Sequence, residues 1–231
     1  MPLHRIESLP GGATLGLWHL TEAPASLWPQ LASAAAYAPL LPARADGPRQ
    51  AQWLAGRVLV QQVAAAAAPG APWVLRNEAS GRPFLVGPGP APAVSLSHSG
   101  EWVAALLAPP GTALGIDVEV VRPKAQRVAA KFLNHQELLA SAQLAAAGAD
   151  AAFPSSAAEL YSLLWSAKET LYKLAGQQGI LFREHLLLDL PPGPWPAVGT
   201  LPARLATGGC NSRHQICYLQ PAAGYVLTYC Q

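Results

Sequence analysis

Glycine and proline together occupy 43 of 231 positions and fall as isolated breakers rather than in one tract. Regular elements must therefore fit between them, which restricts long helices to a few windows. That share lies below the ~25–30% typical of low-complexity chains, and 51% apolar residues suffice for a packed core. The length suits one large domain or two small lobes, and a disordered chain is excluded. Fifteen Lys and Arg against 13 Asp and Glu leave a net charge of only +2. No broad basic surface follows, which argues against nucleic acid as a partner, and a strongly charged ligand has to be met by a local site.

The opening Met1-Pro2-Leu3-His4-Arg5-Ile6-Glu7 lacks the basic-then-apolar pattern of a signal peptide. The longest uncharged stretch, between Arg57 and Arg76, contains Gln61, Gln62, Pro69 and Pro72 and is too broken to span a bilayer. Cys210, Cys217 and Cys230 are odd in number and spaced unlike a zinc site. They read as ordinary buried thiols of a cytoplasmic protein.

Trp53, Leu54, Val58, Leu59 and Val63 recur at helical spacing, predicting a helix from Arg49 to Ala68 that stops at Pro69-Gly70. Pro72 to Leu75 is a short strand, and Asn77 to Gly81 a turn leading into Arg82-Pro83-Phe84-Leu85. Val94 to His98 and Trp102 to Ala108 form a hairpin, and Ala113 to Val120 extends it into a three-stranded meander. Pairing Ala108 with Ala113 sets Trp102 opposite Glu119. With strands about 4.8 Å apart, His98, Asp117 and Glu119 then fall within roughly 10 Å at one sheet edge. A helix from Lys124 to Ala140 and an Ala-rich stretch to Ala152 follow. Ser156-Ala157-Ala158-Glu159 is a capping box, opening a helix with Leu160, Leu163, Leu164, Leu171 and Leu174 on one stripe and Gly176 at its end. Leu186 to Leu188 and residues 215–229 read as strands. The coarse organisation is a lobe over residues 1–111 and a second over 112–231.

Several clusters can carry chemistry. Asp117 and Glu119, two apart on a strand, project to one side. Such a pair raises one acid's pKa, recruits cations or binds a hard metal ion, or is simply a solvated strand face. Glu169 and Lys173, four apart on the helix, make either a surface ion pair or a ligand and general base beside a phosphate-neutralising cation. Ser97 and His98 at a strand end suit phosphate oxygens, or form a satisfied turn. Arg82 has the forked donors for a phosphate, and Arg122, Lys124, Arg127 and Lys131 make either a basic patch or a solvated helix face. No Gly-x-Ser-x-Gly elbow or Gly-x-x-x-x-Gly-Lys-Ser/Thr loop is present.

In order, Gly81-Arg82-Pro83, Ser95-Leu96-Ser97-His98-Ser99-Gly100, Leu114-Gly115-Ile116-Asp117-Val118-Glu119 and Trp165-Ser166-Ala167-Lys168-Glu169-Thr170-Leu171-Tyr172-Lys173 resemble the 4′-phosphopantetheinyl transferase family. The length resembles its long, two-lobed, surfactin-synthetase-activating branch. The resemblance implies an α+β fold of two similar α/β lobes, a pseudo-dimer with the active site in the cleft between them, acting as a monomer. It implies transfer of the phosphopantetheine arm of coenzyme A to a serine of an apo acyl or peptidyl carrier protein, releasing 3′,5′-adenosine bisphosphate. By the same carry-over Asp117, Glu119 and Glu169 would hold magnesium, or manganese in its place. Glu169 would activate the serine, Lys173 would meet the attacked phosphate, and Arg82, Ser97 and His98 would meet the nucleotide end. Gln52 stands where the family usually has an arginine, which makes Arg49 and Arg57 the candidates for further coenzyme A phosphate contacts. The rival readings are a noncatalytic coenzyme A or carrier-binding module and a metal-dependent pyrophosphate or phosphodiester hydrolase.

Overall fold

The computed structural model describes residues 3–42, 47–67, 73–146, 153–207 and 210–231. Ala68, Pro69, Gly70, Pro72 and the Ala-rich stretch at 147–152 lie outside them. The protein is mixed α+β and divides into two compact units, Met1–Leu114 with Gln231, and Gly115–Cys230.

In the first unit, β1 (Leu3–Ser8) and β2 (Thr14–His19) form a hairpin with no counterpart in the periodicity reading. The helix α1 (Gly47–Ala67) covers the window expected from Trp53 to Val63. The strands β3 (Val74–Asn77) and β4 (Pro83–Val86) make a separate two-stranded ribbon, while β5 (Ala93–Ser99) and β6 (Trp102–Ala108) pair as a hairpin. The main sheet runs β1-β2-β6-β5. Leu54, Val58, Leu59 and Val63 of α1 bury with Trp18, Val103 and Leu107 of the sheet. Each fully buried aliphatic contributes about 1.5–3 kcal/mol, which fixes the helix on the sheet.

The expected meander does not form. The strand β7 (Gly115–Val120) leaves that hairpin and pairs antiparallel with a C-terminal strand, β11 (Tyr225–Cys230). Glu119 stands opposite Val226, and Trp102 opposite His19 and Ser99. The position beside β6 is taken by β2, an apolar strand buried along nearly its whole length. The register that would have set His98 beside the two acids is therefore absent.

The second unit's sheet runs β7-β11-β10-β9-β8, with β8 at Leu186–Leu188, β9 at Gly199–Thr207 and β10 at Cys210–Leu219. The helix expected over 124–140 is three pieces, α2 (Pro123–Arg127), α3 (Ala129–Phe132) and α4 (His135–Ala146). The last break has a clear cause. Asn134 Oδ1 accepts from Glu137 N at 2.9 Å and Glu137 Oε2 accepts from Asn134 N at 2.8 Å, a reciprocal cap that starts a new helix. The helix α5 (Ala157–Ala175) matches expectation, with Ser156 Oγ accepting from Glu159 N at 3.2 Å and Gly176 closing it at φ 60°. Its leucine stripe packs on Leu201, Ile216 and Val226. Of the cysteines, Cys230 is buried and Cys217 half-buried.

Candidate active site

The sequence Gly115-Ile116-Asp117-Val118-Glu119 folds as an edge strand against α5, and glycine is required where the two meet. A Cβ at Gly115 would run into the Thr170 carbonyl oxygen and come within 3.0 Å of Leu174 N. Hydroxyls stitch the contact. Ser166 Oγ donates to Asp117 O at 3.2 Å and meets Thr228 Oγ1 at 2.9 Å, while Thr170 Oγ1 lies 2.7 Å from Thr228 Oγ1. The face of α5 carrying Ser166 and Thr170 is thus buried against β7 and β11, a role that the leucine stripe alone does not reveal.

This packing brings four of the expected residues together. Lys173 Nζ donates to Asp117 Oδ1 at 2.7 Å and to Ile116 O at 2.9 Å. Of the two readings open for Glu169 and Lys173, the surface ion pair along the helix does not form, because Lys173 pairs across to the strand instead. Asp117, expected on an exposed strand face, is only 4% exposed. Trp165 Nε1 donates to Glu119 Oε1 at 3.2 Å, holding the second acid. Glu169 is half-buried. Burial, with the Asp117 and Glu119 charges, pushes its carboxyl up from 4.5 to about 7 against the pull of Lys173. The three acids therefore sense one another.

That donor set suits a hard divalent cation, whose charge would relieve the mutual repulsion. Among the described residues, however, no three His, Cys, Asp or Glu side chains are gathered closely enough to hold a metal ion, and Asp117 is engaged by Lys173. The residues fit the ion in chemistry and charge rather than in a preformed shell.

Lys168, given no role by the motif reading, is fully buried. Its Nζ meets Glu137 Oε1 at 2.7 Å and Oε2 at 2.8 Å, Phe182 O at 3.1 Å, and Leu186 O. Glu137 Oε1 also accepts from Leu188 N at 2.7 Å. The signal was readable: Lys168 follows Leu164 by four and precedes Leu171 by three, which places it on the apolar stripe.

The residues expected at the nucleotide end of coenzyme A lie in the first unit. Ser97 is buried and His98 exposed on β5, and Arg82 is exposed in the turn between β3 and β4. Arg49 is exposed near the start of α1, whereas Arg57 is 4% exposed, with its guanidinium 3.3 Å from the centre of the Trp53 ring. Gln52 Nε2 donates to Gly100 O at 2.9 Å, tying α1 to the turn after Ser99. Arg122, Lys124, Arg127 and Lys131 are all exposed after β7.

Four residues of the second unit thus bring one buried and two half-buried acids and a lysine to one strand–helix contact, an arrangement suited to a charged phosphate substrate. The model of the 4′-phosphopantetheinyl transferase superfamily matches residues 113–230, and the chain belongs to that superfamily. It is 33% identical over 136 residues to the 4′-phosphopantetheinyl transferase AcpT of Escherichia coli O157:H7, and equally so to AcpT of Escherichia coli strain K12. Each match covers 57% of this chain and 60% of the relative, so the likeness spans about three fifths of those proteins. Among the described residues, no helix is long and apolar enough to cross a membrane.

Proposed function

We propose that the protein transfers the 4′-phosphopantetheine arm of coenzyme A to a serine hydroxyl of an apo acyl or peptidyl carrier protein, releasing 3′,5′-adenosine bisphosphate. The observation that carries this reading is the Asp117–Lys173 pair beside Glu119 and a Glu169 carboxyl raised to about 7, within the segment that matches the superfamily.

In this reading Asp117, Glu119 and Glu169 hold magnesium, or manganese in its place, and the bound ion supplies charge neutralisation at the pyrophosphate. Glu169 takes the proton of the attacking serine, and a carboxyl near 7 matches that task at neutral pH. Lys173, aimed by Asp117 and the Ile116 carbonyl, places its ammonium toward the attacked phosphate and compensates the charge that builds on the leaving group. Trp165 keeps Glu119 in place. Arg82, Ser97, His98, Arg49 and Arg57 are assigned to the nucleotide end of coenzyme A. The same reading takes the two units as lobes of related build, each a long helix on an antiparallel sheet, in a monomeric cytoplasmic enzyme.

The test is intact-mass measurement of a panel of apo carrier proteins incubated with the protein, coenzyme A and magnesium, beside an EDTA control. A gain of one phosphopantetheine mass, lost with EDTA, is expected. Release of adenosine bisphosphate with no carrier present would instead identify a hydrolase.

A further inference from the structure

Three hydroxyls are shut between α5 and the two strands it covers. Ser166 and Thr170 of α5 and Thr228 of β11 have no solvent exposure at all. Thr228 stands directly opposite Asp117 in the pairing of β11 with β7. Residues opposite one another project to the same side of a sheet, here the side that α5 covers. Thr228 lies outside every motif that singles out a site residue in the sequence.

The protons of these hydroxyls can be followed. Each hydroxyl has one to donate, whereas a peptide carbonyl only accepts. Ser166 Oγ donates to Asp117 O at 3.2 Å, which uses its proton. Across the 2.9 Å contact between Ser166 Oγ and Thr228 Oγ1 the donor is therefore Thr228. Across the 2.7 Å contact between Thr170 Oγ1 and Thr228 Oγ1 the donor is then Thr170, which shares its proton with Thr228 O at 3.1 Å. The result is a chain with one direction, from Thr170 through Thr228 and Ser166 to the Asp117 carbonyl. Buried hydrogen bonds linked in this way polarise and strengthen one another. Ser166 and Thr170 bracket the turn of α5 that carries Glu169, so the chain grips that turn at both ends and ties it to the backbone of Asp117.

We infer that Thr228 is a positioning residue: its hydroxyl, the middle link of the chain, holds the Asp117 backbone and the Glu169 turn at the spacing at which the two acids share one divalent cation. This rests on the proposed transfer reaction and its metal assignment, and extends them to a residue that reaches the site only through Ser166 and Thr170. Lys173 does not duplicate the link, because it ties the Asp117 side chain and the Ile116 carbonyl, whereas the hydroxyl chain ends on the next carbonyl along.

Manganese titration of the full chain, read by electron paramagnetic resonance with and without coenzyme A, tests it beside steady-state transfer. Thr228→Val removes the middle proton at nearly constant volume, and Thr228→Ser keeps it. Ile216→Val trims the same core without a hydroxyl and is the stability control. Thr228→Val is expected to bind manganese about tenfold more weakly, the lower end of the loss when a residue supporting a metal ligand is removed. It should also lower kcat about tenfold while KM for coenzyme A changes by less than about twofold. Thr228→Ser should restore both, and Ile216→Val should lower the urea midpoint alone. Ser166→Ala cuts the chain one link later and is read in the same way, so the test survives if Thr228→Val does not fold. The inference is overturned if a folded Thr228→Val or Ser166→Ala matches the unaltered protein in manganese affinity and kcat. It is equally overturned if Thr228→Ser is impaired as much as Thr228→Val, or if Ile216→Val loses as much manganese affinity. Transfer without manganese binding overturns it and leaves the transfer reading intact. Manganese binding without transfer overturns that reading alone, and the titration still decides the role of Thr228.

Discussion

Lys173 Nζ lies 2.7 Å from Asp117 Oδ1 and 2.9 Å from Ile116 O, joining the end of α5 to the edge strand β7. Asp117 is almost wholly buried and Lys173 about a quarter exposed. Asp117→Asn therefore strands a partly buried cation. Its cost should fall somewhat below the roughly 3–5 kcal/mol of a fully buried broken pair. Urea denaturation checks the stability, and carrier modification should drop by more than about a hundredfold in variant that is still folded.

Glu169 links stability to pH. Its folded carboxyl is raised from 4.5 to about 7, so between those values the folded state holds a proton that the unfolded chain has released. The group's contribution is full below about 4.5 and is lost as pH rises through about 7. Melting temperatures of the metal-free protein should therefore fall from pH 5 toward pH 8, and Glu169→Gln should flatten that decline. Added magnesium should recover the loss at pH 8 in the unaltered protein and not in the variant.

Gly115→Ala places a methyl against the Thr170 carbonyl, a backbone atom that cannot rotate away. The helix must shift off the strand, at a cost of about 3 kcal/mol. A lower urea midpoint together with weakened transfer is the expected pair of outcomes, since the shift also moves Lys173 relative to Asp117.

Lys168→Met leaves Glu137 as a buried, unpaired carboxylate and should cost about 3–5 kcal/mol. Adding Glu137→Gln removes the charge, although its single amide oxygen keeps only one of the two acceptors that Asn134 N and Leu188 N use. The double variant should therefore be more stable than Lys168→Met alone, a coupling that a double-mutant cycle in urea measures.

The sequence alone made the 157–175 helix legible, because its cap, leucine stripe and terminal glycine all agree. It also singled out Asp117, Glu119, Glu169 and Lys173 by motif. The partner of β7 was not legible. The chain order 94–120 favours a local meander, but β7 pairs with β11 more than a hundred residues away, and no local pattern encodes a long-range register. The broken 123–146 region was misread for another reason, since apolar spacing continues across a break that the Asn134–Glu137 cap creates. Burial of Asp117 follows from that same tertiary contact, so a single strand's alternation could not show it.

Lys168 and Glu169 are consecutive on α5, so their side chains leave the axis about 100° apart. The first is anchored among Glu137, Phe182 and Leu186, while Gly115 sets how closely the helix approaches β7. Rotation about the helix axis and translation toward the strand are two separate degrees of freedom, and each is stopped by a different residue. The direction of the Glu169 carboxylate is consequently dictated by groups that never touch it, and a mutation at either stop would misaim an acid whose own chemistry is unchanged.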